Sequence, residues 1–310
     1  MRMSAGVSWR RNRAQDGDVM KQFDVVGVGY CALDYLGIVE HYPEIDEKIM
    51  MDTFTIQGGG ITATAMVAVA RLGGKARYLG KVGDDEFGRM IVAGLASEGV
   101  EARHTAIQPG AMSQFSFVVV DRESGKRTIF ATPGNAVFGP EDLNRDEVLA
   151  GRVVHLDAHH LRPAIQAARW ANEAGIPIVM DAGGLIPGSE ELLDRVDCLV
   201  ASELFAKQIT GESDGEAAAM KLLGMGRGRR VLTATTLGPR GCWYVTDAEP
   251  VHQPAFPVDV VDTTGAGDVF HGAFSFGLAQ GWEFAEIVRF ASAVAALKCT
   301  ALGGRAGIPS

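Results

Sequence analysis

The chain has 310 residues, 47% hydrophobic and 22% charged, with a formal net charge of −9. That composition suits a soluble globular protein of one large or two small domains. The negative balance argues against a nucleic-acid partner, which wants a basic face. No apolar stretch reaches the ~18 residues that a membrane span needs. Four cysteines without a CxxC read as the reduced thiols of a cytoplasmic protein.

Residues 1–21 stand apart. Arg10-Arg11-Asn12-Arg13 meets Gln15-Asp16-Gly17-Asp18 with no apolar period, which reads as a disordered extension upstream of a start at Met20. The folded domain is expected over 22–310. Phe23 to Gly29 is a short apolar run, hence a buried strand. Glu47 to Ile56 alternates weakly and suits an exposed sheet. Thr62 to Leu72 is a small-residue helix stopped by Gly73-Gly74. A strand over 76–82 and an amphipathic helix over 85–97 follow. Phe115 to Asp121 and Arg127 to Ala131 form a hairpin turning around Glu123-Ser124-Gly125.

From Val153 strands and helices alternate: strands at 153–157, 176–180, 197–200 and 230–235, helices at 163–174, 189–195 and 202–210. Another strand lies near 241–245, and helices near 266–280 and 283–298 close the chain. The alternation predicts an α/β fold, a doubly wound and mostly parallel sheet with helices on both faces. The strands at 47–56 and 115–131 fall outside it and predict a small separate sheet, a lid formed by about 40–57 and 113–133.

The glycine runs carry the chemistry. Gly27-Val28-Gly29-Tyr30-Cys31-Ala32 fits GxGxxG/A after a strand, but Asp34-Tyr35-Leu36-Gly37 and Pro43 do not continue as the helix a dinucleotide site needs. A tight strand-end turn is the better reading. No Walker loop occurs: Gly80-Lys81 precedes Val82 and Gly125-Lys126 precedes Arg127. Gly58-Gly59-Gly60 opens a helix and is either a flexible turn or a backbone approached closely by a ligand.

Thr263-Thr264-Gly265-Ala266-Gly267-Asp268 is the sharpest signal. It follows the strand-like Phe256 to Val261 and opens an apolar helix. Small residues leave the amides of Gly265, Ala266 and Gly267 free at a helix N-terminus, where the dipole favours anions. A transferring phosphoryl group could sit there. Asp268 is either a capping carboxylate or a base for an attacking hydroxyl. Thr236-Leu237-Gly238-Pro239-Arg240-Gly241 is a hairpin turn or a cradle for nucleotide phosphates. His155, His159 and His160 end a strand. Their spacing does not suit a metal there, but either His159 or His160 is a candidate substrate contact at that strand end.

These motifs resemble the PfkB (ribokinase-like) carbohydrate kinases over about residues 22–309. Gly58-Gly59-Gly60 through Gly73, Gly80 through Gly88, and Asp262 through Ala273 carry the resemblance. It implies a ribokinase-like doubly wound sheet with a β-lid, and phosphoryl transfer from ATP to a sugar, with Asp268 as catalytic base and Gly265, Ala266 and Gly267 as anion hole. Asp34, Gly59 and Gly60 match the sugar site; Thr236, Gly238 and Gly241 match the ATP loop. Asp262 and Thr264, with backbone near Gly304 and Gly307, match a monovalent-cation (K+) site.

Two departures stand out. Thr64 replaces a frequent asparagine that contacts sugar. Ser202 and Phe205 fall where the family carries an Asn-x-x-Glu tied to Mg2+, leaving Glu203 as the magnesium candidate. Thr62 to Ala65, His252 to Phe256, Val258 to Ala273 and Arg289 to Pro309 are most similar to the sulfofructose kinases of that family. A sulfonated sugar needs donors, for which Lys48 and His159 are the candidates. A ketohexose, sugar-acid or nucleoside kinase and a non-catalytic sugar or nucleotide sensor are the alternatives. Lid strands expose edges, so a homodimer through the lid is expected.

Overall fold

The computed structural model describes residues 21–123, 127–226, 228–247 and 249–310. Residues 1–20 of the expected extension and 124–126 of the expected hairpin turn lie outside the described residues. The chain opens with β1 (Phe23–Val28), β2 (Ala32–Val39), β3 (Thr53–Gly59), α1 (Ile61–Arg71), β4 (Ala76–Leu79) and β5 (Lys81–Gly83). Next come α2 (Glu86–Ser97), β6 (Ala106–Gln108), β7 (Phe115–Asp121), β8 (Arg127–Thr132) and α3 (Arg145–Val148). The second half runs β9 (Gly151–Asp157), α4 (Leu161–Glu173), β10 (Ile178–Ala182), α5 (Glu190–Leu193), β11 (Cys198–Ser202), α6 (Glu203–Thr210), α7 (Gly215–Gly224) and β12 (Leu232–Thr236). It closes with β13 (Cys242–Val245), β14 (Val251–Gln253), α8 (Ala266–Gln280) and α9 (Phe284–Lys298).

Eight strands form the main sheet in the order β14-β13-β12-β11-β10-β9-β1-β4. From β4 to β12 every pairing is parallel; β13 and β14 join antiparallel at one edge. Successive strand residues point to opposite faces, so each parallel strand feeds two cores. Val25, Val153 and Val179 pack with Met66, Phe274 and Ile287 on one face. Val26, Val154 and Ile178 pack with Ala167 and Phe205 on the other. This is the ribokinase-like architecture, with helices on both sides.

A second sheet, β3-β2-β7-β8, stands apart from the first. It corrects the expected lid strands. Of the strand expected over 47–56, residues 47–52 form none, and β3 begins at Thr53. The segment dismissed as a strand-end turn continues into β2, which pairs with β3 antiparallel and with β7 in parallel. The strand expected over 76–82 breaks at Gly80: β4 stays in the main sheet, and β5 pairs with β6 alone. Phe256 to Val261 carries no strand pairing, and α7 and β14 were not anticipated. Among the described residues no helix is long and apolar enough to cross a membrane.

Candidate active site

The carboxyl ends of β1, β9, β10 and β12 and the first turn of α8 converge on one cleft under the lid. Gly265 caps α8 with φ +73, and a Cβ there would lie 2.9 Å from Cα and O of Gly304. Only glycine takes that backbone at low cost, and it holds the turn against the C-terminal loop. The amides of Gly265 and Gly267 find no acceptor among the described residues. Ala266 N instead donates to Thr263 O at 3.2 Å, so the free amides number two rather than the expected three.

Asp268 lies in the first turn of α8, partly open to the cleft. Burial, and then the charge of Asp181, push its carboxyl up to about 7, against the opposing charge of His271. Asp157 and Asp34 push in the same direction. Its nearest structural support is missing from the sequence reading. His271 lies one turn along α8, only 3% exposed. Its Nδ1 faces Gly267 O at 2.6 Å and Asp181 Oδ2 at 3.0 Å, and its Nε2 faces Val200 O at 3.0 Å. Burial opposes a charge on this ring, but Asp181 outweighs it and raises the imidazole to about 9. With an acceptor at each nitrogen the ring is an imidazolium, pinning the phosphate turn to β10 and β11.

In the expected sugar site, Asp34 in β2 accepts a hydrogen bond from Ser116 Oγ at 2.7 Å, and burial raises its carboxyl. A Cβ on Gly59 would fall 2.0 Å from Asp34 Oδ2. Gly60 starts α1 at φ +88. Asp157 ends β9 and collects Tyr30 N at 2.8 Å, Thr62 Oγ1 at 2.6 Å and His159 N at 2.9 Å. It ties β1, β9 and α1 together at the cleft. Thr64 is buried in α1, and beside it lies Arg305, whose Nη2 donates to Gly59 O at 2.9 Å. Thus a guanidinium from the C-terminal loop stands by Thr64, the position where the family resemblance implies an asparagine. No motif flagged Arg305; only the fold brings it there.

Not every expected sugar contact gathers here. His159 is exposed at the end of β9, its ring 4.0 Å from that of Tyr30. Lys48 is exposed on the strandless segment between β2 and β3 and makes no hydrogen bond or ion pair among the described residues. His155 belongs to the core: it is fully buried, faces Ser275 Oγ at 3.0 Å, and burial drives it down to about 3.

The expected nucleotide loop lies across the phosphate turn. Thr236, Gly238 and Gly241 line a cleft of about 520 Å³ together with Ala266, Gly267 and Phe270. Its size fits a small-molecule site. From the lid, Arg127 Nη1 reaches Thr263 Oγ1 at 2.7 Å. Glu203 is not among the residues that line this cleft. It begins α6, and Arg240 Nη2 holds its carboxylate at 2.5 Å. Ser202, at the anomalous family position, caps that helix by accepting from Phe205 N at 3.0 Å. Among the described residues no group of three or more His, Cys, Asp or Glu side chains is placed to hold a metal.

Asp262 is 1% exposed. Its Oδ1 accepts from Thr264 N and Thr264 Oγ1 at 2.8 and 2.7 Å, and its Oδ2 from Gly303 N at 2.8 Å. These bonds outweigh burial and lower its carboxyl. The last helical residue of α9, Lys298, sends Nζ to the main-chain oxygen of Asp262 at 2.7 Å. The Asp262–Asp268 motif is therefore braced from within at both ends.

The family model described as pfkB family carbohydrate kinase matches residues 22–310. The chain belongs to that family. It is a carbohydrate kinase, a sugar phosphotransferase by family. Fructokinase-1 of Zea mays is 32% identical over 278 residues, covering 81% of this chain and 85% of the relative. Ribokinase of Bacillus subtilis (strain 168) is 28% identical over 296 residues, covering 91% and 95%. Arabidopsis thaliana ribokinase complexed with ribose and ATP superposes with a TM-score of 0.79 at 26% identity, covering 93% of this chain and 96% of that one. These likenesses show the kinase family and fold; the sulfofructose-kinase likeness is finer than they reach.

Proposed function

We propose that this carbohydrate kinase transfers the γ-phosphoryl of magnesium-ATP to a primary hydroxyl of a sugar, with 6-deoxy-6-sulfofructose as the leading acceptor. The observation that carries the reaction is the position of Asp268. It lies in the first turn of α8, beside free amides and near Asp181, Asp157 and Asp34, with its carboxyl pushed up to about 7. A base poised near the working pH takes a hydroxyl proton well. Asp34 orients the sugar, with Gly59, Gly60 and Thr64 beneath it. Oxygen of the acceptor attacks the γ-phosphorus in line, Asp268 takes its proton, and ADP leaves. The amides of Gly265 and Gly267 stabilise charge on the transferring group. Thr236, Gly238 and Gly241 seat the rest of the nucleotide. Magnesium would come with the nucleotide and offset its phosphate charge; Glu203, whose carboxylate pairs with Arg240 Nη2, is the candidate from this chain to hold it.

The sulfonate reading rests on the Thr62–Ala65, His252–Phe256, Val258–Ala273 and Arg289–Pro309 stretches and on Lys48 and His159 as donors. Fructose and ribose form the second reading, favoured by the named relatives. Product ADP measured with sulfofructose, fructose, fructose phosphates, ribose and 2-keto-3-deoxygluconate separates them. The expected result is turnover on sulfofructose far above the rest, with Lys48→Ala and His159→Ala raising KM for that sugar alone. Best turnover on an unsulfonated sugar removes the sulfonate reading and keeps the kinase.

The lid supports a homodimer. Ile56, Tyr35, Phe117 and Phe130 lie opposite one another across β3, β2, β7 and β8, forming one apolar row. Ile56, Phe117 and Phe130 are 40%, 47% and 54% exposed. An apolar row on an open sheet is a surface to be covered. Light scattering should give twice the chain mass, and Phe117→Asp should halve it. A monomeric wild type removes the dimer.

A further inference from the structure

A monovalent ion at the Asp262 loop would need carboxylate and carbonyl oxygens turned toward an opening. The atoms there are already engaged. Both carboxylate oxygens of Asp262 accept donors from Thr264 and Gly303. Its main-chain oxygen accepts Nζ of Lys298 at 2.7 Å. Lys298 is 0% exposed, and a Cβ on Gly307 would lie 2.3 Å from its carbonyl oxygen. Thus the lysine stands where α9, the Asp262 loop and the C-terminal loop meet, between the segments that would share the ion. A potassium ion does not fit this arrangement of donors.

We propose that Lys298 is a built-in cation that takes the place of the monovalent ion, so that this kinase works without potassium. The proposal rests on the phosphoryl-transfer reading given above. The chemistry is that of substitution: an alkali ion and a lysine ammonium carry the same unit charge, and both satisfy carbonyl oxygens. What differs is attachment. The amine is tethered to α9, so its hold on the Asp262 carbonyl is part of the fold rather than of the medium. Through Asp262 it steadies Thr264 and Gly303, and with them Gly265, whose backbone rests against Gly304. Lys298 touches neither sugar nor nucleotide, and is a positioning residue. A second cation beside it would meet like charge in a dry setting, which is unfavourable.

The test begins with the wild-type protein and needs no variant. Turnover, read as ADP by chromatography, is compared in potassium, sodium and tetramethylammonium chloride at equal ionic strength. Equal rates are expected; a rate that depends on potassium overturns the proposal. Lys298→Ala should lose turnover by about tenfold or more, because a buried carboxylate loses its charge partner. Potassium or ammonium should restore part of it. The melting midpoint gives a reading independent of activity: potassium should raise it in Lys298→Ala, by binding the folded state, and leave the wild type unmoved. Lys298→Met, which keeps the apolar stem, serves if the alanine variant does not fold. A folded variant as active in tetramethylammonium as the wild type overturns the proposal. Asp268→Asn is assayed alongside: if it stays active the base assignment fails, while the melting midpoints still judge the lysine.

Discussion

Asp268→Asn should lower kcat by about two to four orders of magnitude, the range for losing a general base. The change keeps size and shape, so KM for sugar and nucleotide should move little. A carboxyl held up to about 7 must be ionised to accept a proton, so wild-type kcat/KM should fall as pH drops below about 7. That limb should be absent from the residual activity of the variant. Stability should move the other way. The folded carboxyl binds its proton more tightly than the unfolded one, whose value is about 3.9. Stability is therefore lost as pH rises from about 4 to about 7, and stays lost above. Asparagine escapes that loss, so its melting midpoint should exceed the wild type's at pH 8, with the gain fading toward pH 4. A variant that turns over like the wild type would falsify the base assignment. One that is inactive but no more stable would instead remove the raised carboxyl.

The second large effect is expected at Gly59. Alanine there sets a Cβ 2.0 Å from Asp34 Oδ2, so the carboxylate must swing away from Ser116 and from the sugar. A hydrogen bond to a charged group contributes about 1.5–3 kcal/mol. Its loss should lower kcat/KM for the sugar by about tenfold to a hundredfold. KM for the nucleotide, whose loop lies across the phosphate turn, should stay unchanged. Asp34→Ala should reproduce the pattern without any steric change. Steady-state kinetics with each substrate varied in turn decide it: an unchanged sugar KM in both variants takes Asp34 out of the sugar site.

Local chemistry made parts of this protein legible and hid others. Apolar runs bounded by glycine gave the parallel strands, because a strand buried on both faces needs continuous hydrophobicity. The turn over 263–268 stood out as a candidate because small residues before an apolar helix have few structural reasons to occur together. The lid strand β2 was hidden. Asp34 and Gly37 break the apolar run, and the strand's partners, β3 and β7, are set by tertiary pairing. Asp157 and Asp181 read only as strand residues, since nothing local says that two buried carboxylates will meet α8. Arg305 and Lys298 lie far along the chain from their partners Gly59 and Asp262, and a C-terminal loop carries no period from which to place them. The error at Ala266 has a simple source: spacing indicates which amides can be free, but not which one the turn itself consumes.

The contact between Arg127 and Thr263 spans the lid and the nucleotide loop. Arg127 belongs to the sheet that carries Asp34, and Thr263 to the turn proposed to face ATP. On the proposed function the two substrates would meet separate elements joined by a side-chain bridge. A sugar that drew the lid inward would then also set the posture in which the nucleotide is received, and the reverse would hold to the same degree, because coupling between two binding events is reciprocal. Affinity for either substrate would thus be partly a property of the other's concentration.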